Sequence, residues 1–202
     1  RRFVFKHYLV RIMLRFTALI VLVAVAIVCA QDPPKPNPAE TFRGASVSEI
    51  TYNGKTVVGG TSFAKDEKKG MEVSRGRYDD RNFDYDILFR YDQGSEYLVT
   101  DVNRTISCKK SAITGTIPAT WAWLAQAKFV GKRHFRGETV DFWGATIGTT
   151  KHGLGVFEND PTRPRIIAEE TPQFNATSLI IEWETTSPPP AEYFDVPKSC
   201  SS

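Results

Sequence analysis

Two histidines, His134 and His152, lie outside the N-terminal apolar segment. Joined to a serine and an acid, either could serve a nucleophilic triad. No serine sits in a Gly-x-Ser-x-Gly elbow, so no local motif marks a nucleophile. Zinc takes three or four ligands, and two isolated histidines lack the usual spacings. The expected chain is therefore not an enzyme. The acidic stretch Asp79-Asp80-Arg81-Asn82-Phe83-Asp84-Tyr85-Asp86 has the look of a calcium loop. Aligning Asp80, Asn82 and Asp84 to loop positions 1, 3 and 5 puts Tyr85 where glycine is needed. Tyr91 then falls where the bidentate glutamate belongs, and the EF-hand reading fails. The solvent face of an amphipathic strand explains the acids better. No cofactor is expected, unless a calcium site of another kind forms from this acidic stretch.

Beyond residue 30 the chain has two cysteines, Cys108 and Cys200. In an exported protein two cysteines most simply pair; two free or intermolecular thiols are the alternative. Two glycosylation sequons begin at Asn103 and Asn175. Four Trp, seven Tyr and 13 Phe are a heavy aromatic load. They either fill the core of a β-sandwich or line a concave apolar cavity.

Charge and the N-terminus set the compartment. Residues 1–30 hold five of the 26 basic side chains and no acid, which leaves 21 basic against 23 acidic side chains in the remainder. That balance gives no electrostatic footprint for DNA or RNA, and no nucleic-acid partner is expected. Met13 is the expected start, followed by Arg15, an apolar run from Phe16 to Val28, and Cys29-Ala30. This order reads as a secretory signal peptide cleaved after Ala30. The uncharged run of 15 residues is shorter than the roughly 20 that span a bilayer. No second such run follows, so no transmembrane segment is expected in the mature protein. Secretion is the expected destination, with the lysosome as the alternative.

The elements that must position these residues read as strands. Residues 31–45 form a proline-rich lead-in, expected to be extended and loosely ordered. From residue 46 to residue 202 a single domain alternates with period two. Val47–Tyr52, Asn53-Gly54 and Lys55–Val58 make a hairpin, because Asn-Gly suits a type I′ turn. Phe63–Gly70 reads as a charged loop tip. Phe83, Tyr85, Ile87, Phe89 and Tyr91 share one side of a strand and predict a buried face. Asp84, Asp86, Leu88 and Arg90 take the other side. Glu96–Ile106 returns as its partner. Later strands are expected at Thr139–Trp143, Leu154–Phe157, Arg165–Glu169 and Ser178–Trp183, with Leu179, Ile181 and Trp183 on one face. Thr120–Lys128 fits a short helix or a packed extended segment. The fold class is mainly β, with few short helices.

Several motifs, in order, resemble the ependymin and ependymin-related family. They are Leu88-Phe89-Arg90-Tyr91-Asp92-Gln93-Gly94, the partner strand running on to Cys108, Ile117-Pro118, Ala127–Gly131, Gly137–Gly144 and Phe194–Cys200. The similarity extends from Val47 to Cys200. It implies two curved antiparallel sheets in a half-open barrel or sandwich, similar to LolA-type lipoprotein carriers, around a deep hydrophobic pocket. It also implies N-glycans, homodimers, calcium-linked behaviour and adhesive or extracellular-matrix roles. A Cys108–Cys200 bond matches one disulfide of the pattern. The further cysteines usual in that family are missing, which marks a divergent member.

The leading expectation is a secreted, non-enzymatic glycoprotein. It holds a hydrophobic small molecule or lipid, a fatty acid or phospholipid, against Ile87, Phe89, Phe142, Trp143, Leu179, Ile181 and Trp183. The alternative is a calcium-influenced adhesion or matrix protein whose aromatic residues are ordinary core.

Overall fold

The computed structural model describes residues 32–79, 84–102, 104–135 and 137–200. Contacts divide the chain into residues 1–34 and 35–202. Of the first unit only Asp32–Pro34 is described, without regular structure. The expected signal peptide, Met13 and the Asn103 sequon lie outside the described residues.

Among the described residues the second unit holds eleven strands. They are β1 (Phe42–Tyr52), β2 (Lys55–Asp66), β3 (Met71–Tyr78), β4 (Asp84–Arg90), β5 (Ser95–Val102), β6 (Thr105–Ala112), β7 (Lys128–Phe135), β8 (Glu138–Ile147), β9 (Thr150–Phe157), β10 (Asp160–Glu170) and β11 (Phe174–Glu184). All pair antiparallel in one sheet, ordered β6-β5-β4-β3-β2-β1-β11-β10-β9-β8-β7. The Asn53-Gly54 turn joins β1 to β2 with φ of 50° and 74°, the positive values a type I′ turn requires.

The expected pair of sheets is corrected to one. β1 and β11 pair from Arg43↔Glu184 to Tyr52↔Phe174, and that ladder fuses the two halves. The stretch expected as one return strand is two: β5 ends at Val102, Arg104 has a φ of 64°, and the chain continues as β6 from Thr105. β7 has no counterpart among the expected strands. Thr120–Lys128 holds a 3₁₀ turn, Ala122–Gln126. The lead-in is shorter and better anchored than expected. Strand begins at Phe42, Pro36 and Pro38 are buried, and Asn37 N donates to Pro161 O at 3.1 Å.

A flat sheet of eleven strands would be about 48 Å wide at about 4.8 Å per gap. Residues 113–127 connect its two edge strands, and 15 residues reach about 50 Å only when fully extended. Five of them form the 3₁₀ turn, so the sheet curls towards this strap. Trp121, Leu124 and Ala127 of the strap pack with Phe42, Trp143, Leu154 and Val156, which fixes the inner face.

The outer face of β2–β5 is covered by the C-terminal tail. Phe194 packs with Ala64, Met71, Val73, Leu88 and Tyr97. Arg75 Nη2 donates to Tyr193 O at 2.8 Å and Arg90 Nη1 to Phe194 O at 3.2 Å. Cys108 and Cys200 are bonded, with Cα atoms 5.4 Å apart, and pin the tail to edge strand β6. Among the described residues no helix is long and apolar enough to cross a membrane.

Candidate functional site: the inner face of the curled sheet

Strand register lays the inner face out in rows. Lys65, Glu72, Phe89 and Glu96 form the row nearest the start of the strap. Phe63, Ser74, Ile87 and Leu98 form the next, and Thr61, Gly76, Tyr85 and Thr100 the third. Ile87, Phe89 and Leu98 are half-buried, whereas Leu88, one step out of phase, is 1% exposed beneath Phe194. The aromatic side of β4 was expected to be the buried one. The structure reverses this, because the tail covers the side that carries Leu88.

The strap is held by an ion pair whose cation is buried and whose carboxylate is partly open to water. Lys65 is 0% exposed, and its ammonium donates to Glu40 Oε2 at 3.0 Å, Pro118 O at 2.6 Å and Thr120 Oγ1 at 2.7 Å. Glu40 also accepts from the backbone N–H groups of Thr120, at 2.8 Å, and Trp121, at 3.1 Å. Trp121 Nε1 donates to Ala39 O at 3.0 Å. Burial works against ionisation of Glu40. The hydrogen bonds from Lys65, Thr120 and Trp121 together outweigh it and hold the carboxyl below its ordinary range. Next to Lys65, burial pushes the Glu72 carboxyl up, and the Lys65 charge offsets only part of that.

A hydroxyl network starts in the second and third rows and continues across β1 to β11. Ser48 Oγ is its hub, 2.8 Å from Ser178 Oγ, 3.1 Å from Ser46 Oγ and 3.4 Å from Thr61 Oγ1. Thr61 Oγ1 lies 3.3 Å from the Tyr78 hydroxyl, and Ser74 Oγ lies 3.4 Å from that of Tyr85. Ser46 and Ser48 are each 3% exposed, while Thr61, Ser178, Ser74 and Tyr85 are half-buried. The rings of Tyr78 and Tyr85 lie over cross-strand glycines. A Cβ on Gly59 would stand 2.7 Å from Tyr78 Cδ1, and one on Gly76 2.4 Å from Tyr85 Cε1.

The structure divides the expected wall residues. Ile87, Phe89, Trp143 and Trp183 are on the inner face. Trp183 stacks on Phe42 at 4.5 Å, and Trp143 is buried under the strap beside Phe129. Phe142 turns to the outer face and lies over Gly153 and Gly155. Leu179 pairs with Val47 on the outer side, away from Ile180 and Trp183. A bulge opposite Ala45 and Ser46 breaks the alternation, and Ile181 is left 51% exposed beside Val47 and Arg75 in an outer cleft. The three β11 residues expected on one face are therefore split by that one extra residue.

His134 is exposed and bonded to Thr139, and His152 stacks on Trp123 at 5.3 Å. Their partners on β8, Thr139 and Ala145, are six residues apart. At about 3.3 Å per residue that is about 20 Å, so the histidines do not share a site. Asp84, Asp86 and Asp101 gather in an outer cleft of about 360 Å³ under Pro197–Ser199. Arg77 supplies the counter-charge there, with Nη1 2.7 Å from Asp86 Oδ1, a bond that keeps its guanidinium firmly protonated. Among the described residues no three His, Cys, Asp or Glu side chains are arranged to hold a metal ion. Asn175 is exposed on β11.

No family model matches the sequence, and no curated protein does. The resemblance to ependymins thus stands on motif order alone. Among solved structures the chain is similar to MucB, at 11% identity and TM-score 0.41, over 82% of this chain and 60% of that one. It is also similar to the Pseudomonas aeruginosa MucA/MucB complex, at 12% identity and TM-score 0.43, over 79% of this chain and 56% of that one. A third similar structure is the Mycobacterium tuberculosis lipoprotein LppX, at 11% identity and TM-score 0.32, over 73% of this chain and 90% of that one. The chain thus spans under two thirds of the MucB structures it matches.

Proposed function

We propose that this chain is an exported, non-enzymatic binding protein that takes a hydrophobic ligand on the inner face of its curled sheet. One observation carries the reading. The tail covers the outer side of β4, while Ile87, Phe89 and Leu98 stay only half-buried on the inner side. Apolar surface left partly open on a concave face stabilises a bound chain at about 25 cal/mol per Å² removed from water. The Cys108–Cys200 bond and the exposed Asn175 sequon support export and glycosylation.

Native mass spectrometry of the secreted, deglycosylated chain, followed by organic extraction, tests this. Lipid adducts are the expected result, together with a folded Ile87→Asp variant that carries none. A clean mass for the parent chain, with no uptake of added lipid, would overturn it.

A further inference from the structure

Resting on that reading, we infer that the inner face selects a lipid with an uncharged, hydroxyl- or ester-bearing head over a free carboxylate. The charged groups that flank Phe89 in its row are Glu72 and Glu96, both half-buried on the inner face. A carboxylate placed beside Ile87 and Phe89 would meet like charge across a poorly solvated surface. The cation in that row, Lys65, cannot answer it. It is 0% exposed, and its three protons go to Glu40, Pro118 and Thr120. Lys109 stands beyond Leu98 on edge strand β6, where it is exposed to water.

Away from the strap, the same apolar rows run into hydroxyls. Buried Ser46 and Ser48 position half-buried Thr61 and Ser178, and Ser74 and Tyr85 lie nearer Ile87. A hydroxyl donates one proton and accepts through two lone pairs, and it rotates to suit its partner. Such a surface pairs with ester carbonyls and alcohols alike. It offers a carboxylate no full charge to compensate the loss of water. An acyl chain along Ile87 and Leu98, with its head towards Ser74, Thr61 and Ser178, satisfies both halves of the face.

The test is displacement of the neutral dye Nile red from the full chain at pH 8 by monoolein, oleyl alcohol and oleate. Each is used below its aggregation concentration. Monoolein is expected to bind about tenfold more tightly than oleate. Glu72→Gln should narrow that gap by strengthening oleate. Ser178→Ala should weaken monoolein severalfold more than it weakens oleate. Oleate that competes as well as monoolein, or oleate binding lost in Lys109→Ala, would overturn the head-group assignment and leave the proposed function standing. Displacement by none of the three, from a chain with β-rich circular dichroism, would overturn the proposed function itself.

Discussion

Lys65 and Glu40 meet at 3.0 Å and close the strap over the sheet, with Lys65 wholly removed from water. The pair joins three separate segments: the lead-in through Glu40, strand β2 through Lys65, and the strap through Pro118 and Thr120. A buried ammonium is tolerated here because every proton has an acceptor.

Lys65→Met should therefore cost about 3 kcal/mol, nearer the lower end for a broken buried pair because Glu40 keeps its two backbone donors. The measurement is urea unfolding followed by tryptophan fluorescence, since Trp121 leaves its place as the strap is released. A loss below about 1 kcal/mol would mean that the strap is held by its apolar contacts alone.

Leu88 and Ile87 are neighbours in sequence and opposite in role. Leu88→Ala empties a site under Phe194 and should cost about 3 kcal/mol. Ile87→Ala removes a half-buried side chain and should cost under about 1.5 kcal/mol, while lowering uptake of a hydrophobic ligand. Parallel denaturation and binding curves decide this. Equal losses of stability from the two variants would contradict the arrangement of faces.

Glu72 makes stability depend on pH. Its folded-state pKa is raised above the ordinary 4.5. The folded state is therefore penalised whenever the carboxyl is ionised, which holds fully above the folded pKa. The penalty fades as pH falls from that value towards 4.5. Glu40 works in the opposite sense. Its lowered pKa contributes stability above 4.5 that is lost as pH falls below it. Glu72→Gln should accordingly be more stable than the parent chain at pH 8, with the difference closing by about pH 4.5. A difference that is constant with pH would show that ionisation of Glu72 is not its source.

These residues also show what the sequence could and could not disclose. The β1–β2 hairpin was legible because Asn53-Gly54 dictates its own turn. β4 was legible as a strand, but its buried side was not. Which side counts as buried depends on a tail over a hundred residues away, and Phe194 settles it in favour of Leu88. Alternation along β11 fails at one inserted residue, which period-two reading cannot detect. The latch was hidden for a different reason. Lys65 sits in the charged run Phe63–Gly70, which reads as a solvated loop until Glu40 and Thr120 are known to lie against it. Of the proposed site, Ile87 and Phe89 were visible as strand residues. The hydroxyl network was not, since Ser46, Ser48, Thr61 and Ser178 meet only through the β1–β2 and β1–β11 registers.

The glycines under the tyrosines give the sharpest test of that network. At Gly59 an added Cβ would stand 2.2 Å from Arg77 O and 2.6 Å from Tyr78 Cα, both backbone atoms, so β2 and β3 would have to separate. At Gly76 the Cβ meets Tyr85 Cε1 at 2.4 Å and Tyr78 Cε2 at 2.7 Å, ring atoms that can rotate away. Gly59→Ala should therefore be the more damaging change, near the upper end of the roughly 1–3 kcal/mol typical of overpacking. Gly76→Ala should fall nearer the lower end of that range. It should disturb the stacking of Tyr78 and Tyr85, whose centroids are 6.3 Å apart, and so loosen the hydroxyls of Thr61 and Ser74. Gly76→Ala is expected to lose monoolein affinity out of proportion to its loss of stability. If the two glycine variants lose affinity only in step with stability, the tyrosines support the sheet and do not shape the face.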